Sequence, residues 1–386
     1  MTRTQRILLL LTMWGIGLHK GAVQAESPSA KATVQHVTVY HEPGRFGGWP
    51  ANHGIWIWGD EILTGFSRGY YKDLGPDRHA IDRDKPEEHL LARSVDGGLT
   101  WKIEDPSRQG VLIPRGKALH GKPPAGLKEA DWIDCPGGIE FTHPDFAMTL
   151  RMTDTNVGPS CCYYSYDRGH TWKGPFRIPD LGTAGIAART DYVVEGPHSC
   201  LVFLTAGKSN GKEGRPLCAR TTDGGKTWNL QGWIGPEQPG YAIMPATTRL
   251  PGEGLFTAIR RRDTTGSWID GYRSTDNGKS WNFVNRPVPD TGEGNPASVI
   301  RLQDGRLCLI WGQRKLPFGI HAKLSSDQGT TWSRDHLLRT GGTSRDVGYP
   351  RTIQRPDGTV VVVYYFCEDH SKERDIVATL WSPPAD

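Results

Sequence analysis

Short alternations of apolar and polar residues run through this chain, and long helical periodicity is absent. "TVQHVTVY" (33–40), "GTVVVVYY" (358–365) and "DIVATLW" (375–381) are β-branched and alternate or stay apolar over strand length. Turn signals separate such runs: "QDG" at 303–305, "PDG" at 356–358 and "PGEG" at 251–254. The pattern predicts an all-β protein made of many short strands, as in a sandwich pair, a barrel or a propeller.

One polar pattern recurs five times: "SVDGGLTW" (94–101), "SYDRGHTW" (165–172), "TTDGGKTW" (221–228), "STDNGKSW" (274–281) and "SSDQGTTW" (325–332). Each reads as a hairpin turn. The Asp carboxylate accepts from N–H groups of its own turn, the Gly takes a positive-φ position, and the Trp covers the hairpin. A repeat of some fifty residues holding several strands is about the size of one propeller blade. A fainter repeat lies between the boxes, in strands opening at "WPAN" (49–52), "HPDF" (143–146), "RTDY" (189–192), "MPAT" (244–247), "NPAS" (295–298) and "YPRT" (349–352). Proline is tolerated at the start of a strand. These six segments are expected to be the innermost strands of six blades, with an insertion in the wide first gap. The sixth blade has no box and is expected to close the ring with the strand near Thr33–Tyr40.

Composition then narrows the setting. Arg3 and Arg6, the mostly apolar run Ile7–Leu18 and Val23-Gln24-Ala25 read as a secretory signal peptide cleaved after Ala25, too short in its apolar run to span a membrane. Residues 26–386 are expected to form one propeller domain, secreted or periplasmic and monomeric. Losing Arg3, Arg6 and Lys20 takes the net charge from +4 to +1, which argues against nucleic-acid binding. The seven cysteines have neither zinc-ribbon spacing nor an even count, and no disulfide is assigned.

Five Asp boxes on six blades resemble the sialidase superfamily, whose boxes are also called BNR repeats. The resemblance covers nearly all of the mature chain and implies a six-bladed β-propeller. It also implies an exo-acting glycoside hydrolase that removes a terminal acidic sugar from glycans. In that family three arginines hold the substrate carboxylate, an aspartate is the acid/base, and a tyrosine backed by a glutamate is the nucleophile. A neutral phenol approaches an anionic sugar without like-charge repulsion, which makes this family an exception to the two-carboxylate rule.

Carried onto this chain, the resemblance makes Tyr349 the nucleophile, followed by Arg351 on the same strand. Asp82 and Asp84, in a loop before the first box, are the candidate acids. Arg45 is a partial match to the first arginine, and "AIRRRD" offers Arg260, Arg261 and Arg262 for the second, of which strand alternation lets only one face point to a site. Arg314 or His321 takes the third place. The supporting glutamate would fall near Ile243–Met244, where there is none; Glu237 is the nearest upstream acid.

Asn52, His143 and Asp145 open blades one and two and are further site candidates. His53, His79, His143 and His321 could share one mouth, but their spacing is not that of a metal site, and neither metal nor cofactor is expected. Two other functions remain open. One is a lyase on uronate-containing glycans, with Tyr349, His143 or His321 taking the proton that an arginine-bound carboxylate acidifies. The other is a non-catalytic glycan-binding propeller that stacks sugars on Trp49, Trp56 or Trp58.

Overall fold

The strand that closes the ring comes from the opposite end of the chain. In the computed structural model β1 (Val34–Tyr40) pairs antiparallel with the last strand, from Val34↔Trp381 to Tyr40↔Ile376. The structure describes residues 33–385 apart from 77, 122–123, 128–129 and 369–371. The signal-peptide segment lies outside the described residues. Residues 32–383 make one compact unit.

Six sheets follow in order. Blade one holds β2 (Arg45–Gly48), β3 (Ile55–Trp58), β4 (Glu61–Tyr70), β5 (Glu88–Ser94) and β6 (Lys102–Glu104). Its innermost strand is interrupted: β2 and β3 both pair with β4, and the short helix α1 (Pro50–His53) lies between them. Blade two has only β7 (Ala147–Met152), β8 (Ser160–Ser165) and β9 (Lys173–Ile178). Blade three has β10 (Ile186–Ala187), β11 (Tyr192–Gly196), β12 (Ser199–Gly207), β13 (Glu213–Thr221) and β14 (Asn229–Trp233). Blade four is β15 (Tyr241–Arg249), β16 (Leu255–Asp263), β17 (Gly266–Ser274) and β18 (Asn282–Val288). Blade five is β19 (Ala297–Arg301), β20 (Leu307–Gln313), β21 (Phe318–Ser325) and β22 (His336–Gly342). Blade six is β23 (Gly348–Gln354), β24 (Val360–Phe366), β25 (Asp375–Trp381) and β1.

The protein is therefore an all-β six-bladed propeller. Its sixth blade lacks a box because the box belongs to the hairpin between third and fourth strands. In that blade the fourth strand is β1, which the far end of the chain supplies. The core lies between blades. Val360–Val363, Tyr364 and Tyr365 are wholly buried along β24, and large side chains of this kind contribute about 1.5–3 kcal/mol each on burial. All seven cysteines are buried.

The boxes are the turns their pattern predicts. In the fourth, Asp276 Oδ1 accepts from Ser280 N at 2.9 Å, Oδ2 from Ser280 Oγ at 2.6 Å, and Ser274 Oγ accepts from Gly278 N at 2.8 Å. Trp281 Nε1 donates back to Gly278 O at 3.0 Å. Asp96, Asp167, Asp223 and Asp327 repeat the arrangement.

The fainter repeat marks the inner edge of five blades out of six, although in blade one "WPAN" is not itself strand but the helix α1 that interrupts the inner strand. "HPDF" is not an inner strand. His143–Phe146 is the turn entering β7, and Arg168 N of the second box donates to Asp145 O at 3.0 Å, so this turn lies on the box face. Proline after a polar residue serves a turn as well as a strand start, and the local pattern does not distinguish them. In place of an inner strand, β7 meets α1 and blade three: Thr149 Oγ1 donates to His53 O at 2.9 Å and Leu150 N to Thr190 Oγ1 at 3.0 Å.

Candidate active site

An antiparallel meander puts the first-to-second and third-to-fourth turns of every blade on one face, with the boxes. The start of each inner strand and the loop between second and third strands lie on the other face. Three inner-strand openings share a backbone device there. Trp49, Met244 and Tyr349, each followed by proline, have φ of 59°, 54° and 51°. A left-handed residue inside a strand is strained by about 1–3 kcal/mol and shifts the ladder. The register breaks there between Ile243 and Ala246, and again between Gly348 and Arg351.

Tyr349 is the centre of a cluster on this face. Arg260, near the end of β16, donates from Nη1 to Tyr349 Oη at 2.9 Å and from Nη2 to Tyr241 Oη at 3.0 Å. The Arg314 guanidinium carbon is 5.3 Å from the Tyr349 ring centre. Arg189, between β10 and β11, is buried and pairs with Glu213 at 2.7 Å. Burial pushes the Tyr349 phenol up, but the charges of Arg260, Arg314 and Arg189 outweigh it and hold the phenol below its ordinary value. The phenol's hydrogen-bond partner is thus an arginine, not a carboxylate.

Behind Tyr349 lies a buried carboxylate. Asp346 Oδ1 accepts from His79 Nδ1 at 2.5 Å and from Tyr365 Oη at 2.6 Å, and Oδ2 from Ala80 N at 3.2 Å. Arg374 and Arg314 add ion pairs at 3.3 and 3.8 Å. Burial pushes the Asp346 carboxyl up, but His79, Arg314 and Arg374 hold it well below the usual carboxylate range. The His79 ring stands edge-on to Trp49 at 5.2 Å and to Tyr349 at 6.5 Å between centroids. Burial lowers the imidazole below its ordinary value against the opposing pull of Asp346. With Nδ1–H on Asp346, Nε2 is left as an acceptor.

Further along the inner strands, an axial cavity of about 170 Å³ is lined by Trp56, Thr190, Asp191, Thr247, Arg351 and Thr352 among others. Arg351 donates there to Ala51 O at 2.6 Å and to Thr190 O. Burial pushes the Asp191 carboxyl up to about 7, opposed by Arg351.

The structure thus gathers Tyr349, Arg260 and Arg314, with Arg351 below them. The backbone of Asn52 on α1 closes the same axial region, where Asn52 O accepts from Thr190 N at 3.3 Å. Other sequence candidates are turned elsewhere. Arg45 pairs with Glu88 and covers Tyr70. Asp82 and Asp84 both pair with Lys72, at 3.2 and 3.5 Å. Arg261 points to the opposite face from Arg260 and pairs with Asp270 at 3.4 Å. His321 stacks on Trp311 within blade five. His143 packs on Tyr166, and Asp145 pairs with Arg168 at 2.6 Å, both on the box face. Glu237 bonds Ser209 at 2.7 Å. Sequence reasoning did not single out Arg189, Glu213, Tyr241, Asp346 or Tyr365.

A family model described as a BNR repeat-like domain matches residues 146–362. The chain belongs to this family. Among solved structures, this BNR repeat-like propeller is similar to a protein of unknown function from Dyadobacter fermentans, with a TM-score of 0.66, 17% identity, and 90% and 99% of the two chains covered. It is similar to the NanB sialidase of Streptococcus pneumoniae, at 0.58 and 11%, covering 89% of this chain and 70% of that one. It is also similar to the α-L-arabinofuranosidase Arb93A of Fusarium graminearum, at 0.55 and 12%, covering 90% and 96%. At these identities the likeness is one of fold. No curated protein matches the sequence.

Proposed function

We propose that this BNR repeat-like protein cleaves the glycosidic bond of a terminal acidic sugar at the mouth around Tyr349. The observation that carries the reading is the Tyr349–Arg260 contact of 2.9 Å with Arg314 over the same ring. Arginine forks match a carboxylate bidentately, so Arg260, Arg314 and Arg189 hold the sugar's acid group. Tyr349 attacks the anomeric carbon. Its proton leaves readily because the arginines favour the phenolate, and His79, oriented by Asp346, is the adjacent base. His79 passes that proton to the leaving oxygen as the bond to the neighbouring sugar breaks, and a water then releases the sugar from Tyr349, which regains its proton. Asp82, paired with Lys72 at 3.2 Å, is not given the acid's part. Export accompanies this reading, since glycans bearing terminal acidic sugars are largely outside the cytoplasm. Among the described residues no helix is long and apolar enough to cross a membrane.

A second reading rests on the same phenol. A tyrosine held toward its anion by arginines, with a histidine in ring contact, also suits β-elimination at a uronate. Tyr349 takes the proton next to the arginine-bound carboxylate, the C–O bond to the neighbouring sugar breaks, and the departing oxygen takes a proton from the site. The products include an unsaturated, ultraviolet-absorbing sugar.

The test is a panel of sialyl, uronyl and neutral aryl glycosides and uronate-containing polysaccharides, given to the wild type and to Tyr349→Phe. Release of an acidic sugar, lost in the variant, supports hydrolysis, and an unsaturated product supports elimination. Turnover of neutral glycosides alone, or none at all, overturns both.

A further inference from the structure

Blade two lacks its inner strand, and the space beside blade one is filled by a buried group of ionisable side chains. Glu87 just before β5, His89 on β5 and His120 at the end of the short helix α2 (Lys117–His120) are 1%, 5% and 9% exposed. They face one another. Glu87 Oε1 is 3.1 Å from His120 Nδ1 and 3.6 Å from His89 Nε2, and the three ligand atoms lie within 4.8 Å of each other. Tetrahedral nitrogen and oxygen ligands at about 2.0–2.1 Å from a metal stand roughly 3.4 Å apart, so two of the three edges already have the length of a coordination polyhedron.

Two unmet hydrogen-bonding demands point to the same place. His89 is buried, yet neither ring nitrogen has a hydrogen-bond partner. His120 has acceptors on both sides, with Met152 O 3.3 Å from Nε2 and the Glu87 carboxylate beyond Nδ1. A neutral imidazole has one N–H to give. With that proton on Nε2 toward Met152 O, the Nδ1 lone pair faces a carboxylate across 3.1 Å. A cation between Nδ1, His89 Nε2 and Glu87 Oε1 satisfies all three atoms at once.

We propose that Glu87, His89 and His120 bind one divalent transition-metal ion of the zinc class. Two imidazoles and one carboxylate suit that class, and a water completes the set. The outer partners of a metal site are present. Met152 O orients His120, and Arg83 donates to Glu87 Oε2, fixing the carboxylate so that Oε1 faces inward. His53 is committed elsewhere, with Ser67 Oγ at 3.0 Å and Arg151 Nη1 at 2.7 Å, and its ring closes the site against His89 at 4.7 Å between centroids. The ion would tie the insertion carrying α2 to blade one. Through Arg83, whose guanidinium carbon is 4.9 Å from the Trp49 ring centre, it would also brace the opening beside His79.

The test uses untagged full chain, stripped with a chelator and titrated with Co²⁺, then Zn²⁺, following visible Co²⁺ absorption, bound metal and Tm. About one equivalent per chain is expected, with Zn²⁺ displacing Co²⁺ and Tm rising with metal concentration. His89→Gln and His120→Gln should weaken binding by more than about 100-fold, beyond the loss from an outer-shell partner, while the exposed His170→Gln binds as wild type. Wild type that takes up none of Zn²⁺, Co²⁺, Ni²⁺ or Mn²⁺ overturns the proposal and leaves only the His120–Glu87 hydrogen bond of 3.1 Å. Uptake that both ligand variants retain also overturns it. The wild-type titration decides even if a variant fails to fold.

Discussion

The Asn295 side chain clamps the backbone that presents Tyr349. Its Oδ1 accepts from Tyr349 N at 3.0 Å and its Nδ2 donates to Val347 O at 2.7 Å. Between them, Gly348 has φ 103°, and a Cβ on it would stand 2.3 Å from Asn295 Nδ2. The amide is wholly buried. Val347 O also accepts from Arg314 Nε at 3.0 Å, so Asn295→Ala should cost about 1–3 kcal/mol in denaturant unfolding, chiefly from the Tyr349 N–H left without a partner. Gly348→Ala should cost at least as much, because both the turn and the space exclude a side chain. Wild-type stability in either variant would show that the clamp is not needed.

Tyr349→Phe removes the phenol oxygen and keeps the ring packed among Trp49, Met244 and Tyr365. If Tyr349 is the reacting group, kcat should fall by about 10³-fold or more, with Tm little changed. Arg260→Lys keeps a charge but loses the fork that spans Tyr349 and Tyr241. It should lower kcat/KM for carboxylated substrates by about 10²-fold, the usual loss for one preorganised donor. Neutral substrates should lose less, because the lysine charge still favours the Tyr349 phenolate. Equal losses on both would argue that Arg260 serves the fold.

Three arginines lower the Tyr349 phenol, so its ionisation should precede that of the other tyrosines. An ultraviolet difference titration should show one phenolate forming below the ordinary tyrosine range, absent in Tyr349→Phe and moved upward in Arg260→Gln. A first phenolate at the ordinary value would mean that burial outweighs the charges.

Asp191 gives a pH dependence of opposite sense to that of a paired carboxylate. Burial raises it to about 7, above the roughly 3.9 of an unfolded chain. Between those values the folded protein holds a proton that the unfolded chain has released. The stability it contributes is whole below about pH 4 and lost as pH rises toward 7. Asp191→Asn should flatten that part of the Tm–pH curve and raise Tm at pH 8. An unchanged curve would place the Asp191 charge in contact with solvent or a partner.

The Asp boxes act in the other direction. Bonds from the turn hold Asp96, Asp276 and Asp327 at about 2, below the unfolded value. Their contribution is present above about pH 4 and is lost as pH falls toward 2. Replacing Asp276 by Asn should lower Tm at pH 7 and shrink the loss on acidification, as followed by thermal melts.

What the sequence made legible is what repeats. The five boxes and the β1 closure follow from spacing and alternation, because each blade must present the same turn to the same face. Arg260 was separable from Arg261 once β16 was known to be a strand. The site itself is assembled across the ring. His79 meets Asp346 across 267 residues and Tyr349 meets Asn295 across 54, contacts with no local pattern. "HPDF" misled because proline marks turns and strand starts alike. Blade two, which has no inner strand, broke the rule that the other five follow. Arg189 stood within the quoted "RTDY", but only the folded ring shows it paired with Glu213 with its charge acting on the Tyr349 phenol.

The central claim is that the mouth around Tyr349 recognises a carboxylated sugar. The position of an acidic monosaccharide in a crystal complex of Tyr349→Phe tests it most directly. The account predicts the sugar carboxylate within hydrogen-bond distance of Arg260 and Arg314. It places the anomeric carbon at the edge of the substituted ring, over the position that the Tyr349 phenol oxygen holds in the wild type. A sugar bound on the box face, or one seated at the mouth with its carboxylate turned away from both arginines, would contradict it.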